Sequence, residues 1–199
     1  MTLYDLKPRF QALLRPLTNR LASVGVTANQ VTLAAAAGSV ALGGVLVALR
    51  EYRPFFLLLP VWLLTRMALN AIDGMLAREH GQASRLGGYL NELCDVISDA
   101  ALLLPLAFIA PFGPMSVFSV IFLAIISEYA GVMGPLVGAA RRYDGPFGKS
   151  DRALATGALG LWIGLALPVP DWLFWLMPAF AGLLILTTFN RIRAGLRDP

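Results

Sequence analysis

The sequence predicts an all-α integral membrane protein. It has six transmembrane helices behind an N-terminal amphipathic helix in the membrane interface, and both termini are in the cytoplasm. Three observations predict this. Of 199 residues, 57% are hydrophobic and only 14% charged, with a mean hydropathy of +0.68; a soluble domain carries roughly 25% charged residues. Six apolar stretches are long enough to cross a hydrocarbon core about 30 Å thick, which takes about 20 helical residues. Thirteen of the 16 Lys and Arg fall on one side of the alternating spans, the side that the positive-inside rule assigns to the cytoplasm.

Residues 4–22 place Leu6, Phe10, Leu13, Leu14, Leu17 and Leu21 on one helical face, with Lys7, Arg9, Arg15 and Arg20 elsewhere. That pattern predicts a helix lying in the interface, although Pro8 and Pro16 interrupt it and a partly ordered basic tail is the alternative. Gly25 and the turn Thr27-Ala28-Asn29 lead into the first span, 29–49. It begins too late and runs too long for a cleaved signal peptide, so it is expected to be retained. Arg50-Glu51-Tyr52-Arg53-Pro54 breaks the chain before span two, 54–77, and a short loop leads to span three, 86–110. Pro111-Phe112-Gly113-Pro114 precedes span four, 114–140; span five is 151–168, and Pro168-Val169-Pro170 opens span six, 171–191. Pro and Gly punctuate helices in this way. The expectation is one domain over 1–199, with an interfacial segment 1–28 and a six-helix bundle 29–191. The pairs Ser39/Gly43, Gly134/Gly138 and Gly160/Gly164 have the spacing that lets helices approach closely in lipid, within a bundle or across a homodimer.

On the cytoplasmic side lie Lys7, Arg9, Arg15, Arg20, Arg78, Arg85, Arg141, Arg142, Lys149, Arg152, Arg191, Arg193 and Arg197; Arg50 and Arg53 lie opposite, and Arg66 is inside a span. The net charge of +4 therefore serves topology and attraction to anionic headgroups, not nucleic acid. The expected location is a bacterial inner membrane, with the functional face toward the cytoplasm. Cys94 is the only cysteine, which excludes an intrachain disulfide, and within a span it is expected to pack. His80, the only histidine, is expected in a solvated loop.

The unusual stretch is NAIDGMLAREHGQASRLGGYLNELCD, residues 70–95. Asn70 and Asp73 share a helix face at the end of span two. Gly87, Asn91, Asp95 and Asp99 recur every four residues along span three, and a short antiparallel connection brings the two faces together. Polar groups converging within a membrane protein are expensive and mark function. Hard oxygen ligands of this kind suit Mg²⁺ or Mn²⁺ shared with phosphate oxygens, and neighbouring glycines let a phosphorylated ligand approach the backbone. A polar cluster that merely locks two helices is the alternative.

Asn70-x-x-Asp73-Gly74-x-x-Ala77-Arg78, eight residues, then Gly87-x-x-x-Asn91-x-x-x-Asp95 resembles the DxxDGxxAR, eight residues, GxxxDxxxD signature of the CDP-alcohol phosphotransferases. Every interval matches, and so do six of the eight fixed residues. Thr27-Ala28-Asn29-Gln30-Val31-Thr32 is similar to the family's TPNxxT. The resemblance implies a six-helix bundle, usually a homodimer, that transfers a substituted phosphate from a CDP-linked donor such as CDP-diacylglycerol to a small alcohol or alcohol phosphate, releasing CMP. It implies one or two Mg²⁺ or Mn²⁺ ions on Asn70, Asp73, Asn91 and Asp95, with Asp95 also the base on the acceptor hydroxyl. Gly74, Ala77, Arg78 and Gly87 would line the cytidine diphosphate pocket.

Asn70 and Asn91 depart from the signature. Each keeps a carbonyl oxygen for a metal but loses a charge, so the four positions fall from −4 to −2. Weaker metal binding, one metal in place of two, recruitment of Glu92 or Asp99, or lost activity are the consequences to expect. The loop Arg141-Arg142-Tyr143-Asp144-Gly145-Pro146-Phe147-Gly148-Lys149-Ser150-Asp151-Arg152 follows the positive-inside rule; its glycines and proline also suit a shaped anion pocket, in which Arg142 and Lys149 would hold a phosphorylated acceptor.

Two rivals stand beside the transferase. One is a catalytically silent or strongly divergent relative that binds lipid or nucleotide and regulates a partner. The other is a small cation transporter, against which the fixed-interval signature argues. Arg66, inside a span, needs an acidic partner. Depth along the helices nominates Asp99 first and Glu128 second.

Overall fold

Seven α-helices run through the described residues of the chain. They are α1 (Leu3–Ser23), α2 (Ala28–Ala48), α3 (Leu58–Glu79), α4 (Arg85–Leu103), α5 (Pro114–Val132), α6 (Lys149–Gly164) and α7 (Leu176–Gly195), with short 3₁₀ turns before α3 and α7 and after α4 and α5. The computed structural model describes residues 3–197, with side chains from Pro8 onward. The ends of the expected domain at 1–2 and 198–199, and the side chains of Leu6 and Lys7, lie outside the described residues.

The all-α expectation and the order of the elements hold. By length and composition four helices can cross a membrane: Ala28–Ala48, Arg53–Glu79, Pro114–Val132 and Asp171–Gly195. The expected third and fifth spans correspond to α4, which carries Arg85, Glu92, Asp95 and Asp99, and to the 16-residue α6, which carries Lys149, Asp151 and Arg152. Span four ends earlier than expected. α5 stops at Val132 and a 3₁₀ turn over Gly134–Val137 follows, closed by Gly138 at φ 85°. Gly134/Gly138 is therefore a turn and not a helix-packing pair. The other two pairs do mark close approach. A methyl on Gly43 would strike the Ala101 carbonyl, one on Gly160 would lie 2.7 Å from Leu59, and one on Gly164 would lie 2.6 Å from the Leu57 backbone nitrogen.

The chain packs as two units. The first holds α1, α2 through Val40, and Val61–Ser98; the second holds Ala41–Pro60 and everything from Asp99. In the first, α1 is a continuous helix despite Pro8 and Pro16. Leu14 and Leu21 pack against Ala28, Val31, Ile72, Met75 and Leu76, while Leu13 and Leu17 stay exposed. The apolar face thus splits between the helices and the surroundings. A bidentate pair ties α1 to the end of α3, with Arg15 Nη2 2.9 Å from Glu79 Oε1 and Nε 3.1 Å from Oε2. Glu79 holds the Arg15 guanidinium above its ordinary pKa, by the hydrogen bond first and then by its charge. In the second unit α5 packs along α7, and α6 packs on the turn before α3.

Candidate active site

The start of α2 is fixed by its own sequence. Thr27 Oγ1 accepts from the Gln30 N–H (3.2 Å) and Gln30 Oε1 accepts from the Thr27 N–H (2.9 Å), a reciprocal capping box that satisfies two otherwise orphaned donors. Gln82, from the loop between α3 and α4, accepts from the Ala28 N–H at 2.7 Å. Gly87 completes this corner. Its N–H donates to Ser84 Oγ (3.0 Å), and a methyl there would lie 2.9 Å from Asn29 Oδ1. The signature glycine of α4 is thus seated against the Thr27-Ala28-Asn29 turn.

Asp73 is buried on α3, and its Oδ2 accepts from Thr32 Oγ1 at 2.8 Å. That hydroxyl also lies 3.1 Å from the Ala28 carbonyl. Asp95, on α4, is reached by two donors from α3: Asn70 Nδ2 at 3.3 Å and Arg66 Nη2 at 3.0 Å, both to Oδ1. The two polar faces therefore meet, as the spacing predicts. Arg66 is only 4% exposed, and its Nη2 also donates to the Asp95 carbonyl at 3.1 Å. Depth along the helices nominated Asp99 and Glu128 for Arg66 and overlooked Asp95. The extended guanidinium climbs about one helical turn to reach it.

Asn91 is half-buried on α4, one turn from both Gly87 and Asp95. Arg78 folds back over Gly74, where a methyl would lie 2.8 Å from its Nη2. Ala77 packs on the cluster around Met75 and Leu76. His80 is exposed and meets Asn19 Oδ1 at 3.1 Å, and Cys94 is buried, as expected. Among the described residues no three His, Cys, Asp or Glu side chains gather for a metal. By charge alone, two carboxylates and two amides, with a guanidinium on one carboxylate, suit one divalent cation and not two.

The second unit holds a cluster that sequence reasoning missed. Arg152 Nη2 donates to Asp99 Oδ2 and to Glu128 Oε1, both at 2.9 Å. Arg191 Nη1 lies 3.3 Å from Glu128 Oε2 and donates to the Ser127 carbonyl, and Arg141 Nη2 is 3.6 Å from Glu128 Oε2. Arg152 and Arg191 are buried, yet Arg152 Nε and Nη1 and Arg191 Nε have no acceptor among the described residues. Buried donors without acceptors are costly and suit an anion. The signal was the acids Asp99 and Glu128, which require cations; the sequence sets Arg152 within the loop offered as an anion pocket, and Arg191 only toward topology. Arg142, named for the acceptor, pairs with Asp144 at 3.1 Å, and Lys149 opens α6. The glycine-containing loop is shaped, as expected: Gly145 has φ 128°, and the Phe147 N–H donates to Thr187 Oγ1 at 3.0 Å.

A CDP-alcohol phosphatidyltransferase family model matches residues 25–188. The inner membrane protein YnbA of Escherichia coli is 49% identical over 198 residues, covering 98% of this chain and 96% of that protein. The archaetidylinositol phosphate synthase of Pyrococcus horikoshii is 32% identical over 130 residues, 64% of this chain and 63% of that one. Among solved structures, Mycobacterium tuberculosis phosphatidylinositol phosphate synthase in complex with manganese and citrate has a TM-score of 0.76 at 23% identity, over 92% of this chain and 89% of that one. The same enzyme with CDP-DAG bound has a TM-score of 0.73 at 24% identity, over 92% and 94%. These structures share the fold.

Proposed function

The chain belongs to the CDP-alcohol phosphatidyltransferase family of membrane proteins, and from that membership we propose that it transfers a phosphatidyl group from a CDP-diacylglycerol-type donor to a phosphorylated alcohol, releasing CMP. The observation that carries this reading is the meeting of α3 and α4, which brings Asn70 and Asp95 together within a signature whose intervals are intact. Six spans, cytoplasmic termini, a cytoplasm-facing site, an inner-membrane location and a homodimer belong to the same proposal, as does one catalytic domain over the whole chain.

Asp73, Asp95 and the amide oxygens of Asn70 and Asn91 are the groups to hold Mg²⁺ or Mn²⁺. The cation would neutralise pyrophosphate charge on the donor. Gly74, Ala77, Arg78 and Gly87 form the cytidine diphosphate side; Arg78, folded over Gly74, supplies a guanidinium for phosphate oxygens. In the transfer the acceptor hydroxyl oxygen bonds to the phosphatidyl phosphorus. The pyrophosphate P–O bond breaks, CMP leaves with the bonding pair, and Asp95 takes the hydroxyl proton. Arg66 and Asn70 fix the direction of the Asp95 carboxylate. Within the second unit, the unsatisfied donors of Arg152 and Arg191 suit a phosphate group, with Arg142 and Lys149 adding positive potential nearby in the chain.

The test is purified protein with CDP-diacylglycerol, Mn²⁺ or Mg²⁺, and paired acceptors with and without phosphate, following CMP. Metal-dependent CMP release that is faster with the phosphorylated acceptor supports the reading. Donor binding without CMP release would establish the silent relative, which the two asparagines favour.

A further inference from the structure

We propose that Arg66 takes the place of one divalent cation, so that the chain binds a single Mg²⁺ or Mn²⁺ beside a permanent guanidinium. The proposal rests on the transferase reading above. Asp95 Oδ1 already receives Arg66 Nη2 at 3.0 Å and Asn70 Nδ2 at 3.3 Å. The second contact of Nη2, to the Asp95 carbonyl at 3.1 Å, braces the guanidinium against the backbone as well as the carboxylate. Arg66 is buried and starts one turn before Asn70 on the same helix, so its charge needs a carboxylate within reach, and Asp95 supplies one at 3.0 Å.

Charge balance points the same way. Four aspartates with two divalent cations sum to zero. Here the four signature positions carry −2, and Arg66 brings them to −1. One divalent cation then leaves +1, close to the fully acidic arrangement, whereas two would leave +3 in a low-dielectric site, where like charges a few ångströms apart repel by several kcal/mol. Asn70 fits the same scheme. An amide can donate to Asp95 directly, whereas an aspartate at that position would need a cation between the two carboxylates. The asparagines and the buried arginine thus form one substitution of cation chemistry: a fixed, hydrogen-bonded charge in place of an exchangeable ion.

Mn²⁺ titration of the purified full-length chain, with free Mn²⁺ read by electron paramagnetic resonance and no donor present, tests this. The wild type should bind one Mn²⁺ per chain; two, or none, overturns the proposal. Asn70→Asp with Asn91→Asp restores enough charge to balance two ions, yet should still bind one, because the Arg66 guanidinium still fills the second ion's place on Asp95. A second ion there would mean that the amides, not Arg66, set the count, and would also overturn it. Adding Arg66→Met to that pair should raise the count to two, and a folded triple variant that stays at one counts against the proposal. If the triple variant does not fold, the first two counts decide. One Mn²⁺ bound without CMP release under any acceptor would refute the transferase reading and leave this one standing. Two Mn²⁺ with CMP release would do the reverse.

Discussion

Asn70 and Asp95 are hydrogen-bonded from helix to helix, Nδ2 to Oδ1 at 3.3 Å, at two positions where the family signature carries two aspartates. The contact is neutral to ionic and so holds without a bridging cation. Asn70→Asp would place two carboxylates face to face. Its melting temperature in chelator should fall by several degrees relative to the wild type, a loss of about 1–2 kcal/mol, and Mn²⁺ should restore more of it than it adds to the wild type. Equal melting curves in chelator would show that the pair does not approach in the membrane.

Asp95→Asn should reduce CMP release by about 10²–10⁴-fold, the usual contribution of a positioned general base, while CDP-diacylglycerol still binds. An asparagine keeps an oxygen for Arg66 but not the charge, so detergent-solubilised stability should drop as well. Activity within about threefold of the wild type would remove Asp95 as the base, by the same scale.

Thr32→Val tests the support behind Asp73. The valine has the same shape without the hydroxyl that donates at 2.8 Å, which leaves a buried carboxylate oxygen short of one donor. The expected loss is about 1–3 kcal/mol of stability. It should come with weaker Mn²⁺ affinity, measured calorimetrically, because the carboxylate is no longer aimed. Unchanged affinity with reduced stability would confine Thr32 to packing.

On the acceptor side, Arg191→Met should raise the KM for a phosphorylated acceptor about tenfold, the equivalent of one lost charged hydrogen bond of roughly 1.4 kcal/mol, and leave the donor's KM nearly unchanged. Arg142→Gln should act more weakly, since Arg142 is paired with Asp144 at 3.1 Å. A larger effect at Arg142 would return the acceptor pocket to the loop.

These residues show what the sequence made legible. Hydropathy and breakers located the four helices long and apolar enough to cross a membrane, because a lipid-spanning segment must satisfy its backbone internally and so leaves a long apolar run; the amphipathic period located α1. Fixed intervals located Asn70, Asp73, Gly87 and Asp95. What stayed hidden depended on side-chain reach. A helical position gives the height of Arg66 but not the direction of a flexible side chain, so Asp95 was not among the carboxylates named for it. Arg191 looked like a boundary cation and Arg152 like a member of the loop pocket, and only packing set both against Glu128. The end of α5 at Val132 was blurred because Leu136, Val137 and Ala139 continue the apolar run through a turn.

Gly43 and Gly44, adjacent in α2, provide a paired test of close packing. A methyl on Gly43 would strike the Ala101 carbonyl of α4, whereas one on Gly44 would meet nothing within 4 Å. In a helix interior, Gly to Ala alone gains up to about 1 kcal/mol, because alanine restricts the unfolded chain and favours the helix. Gly44→Ala should therefore be neutral or stabilising. Gly43→Ala carries the same gain but must move a backbone carbonyl, not a flexible side chain, and rigid overpacking costs about 1–3 kcal/mol. The two variants should thus differ in sign, read as thermal unfolding midpoints in one detergent. Matching midpoints would mean that α2 and the Ala101 turn of α4 do not touch in the folded protein. A drop in both would instead place Gly44 at a contact outside the single chain; if that contact is the proposed homodimer's, cross-linking of the Gly44→Ala variant would show reduced dimer yield.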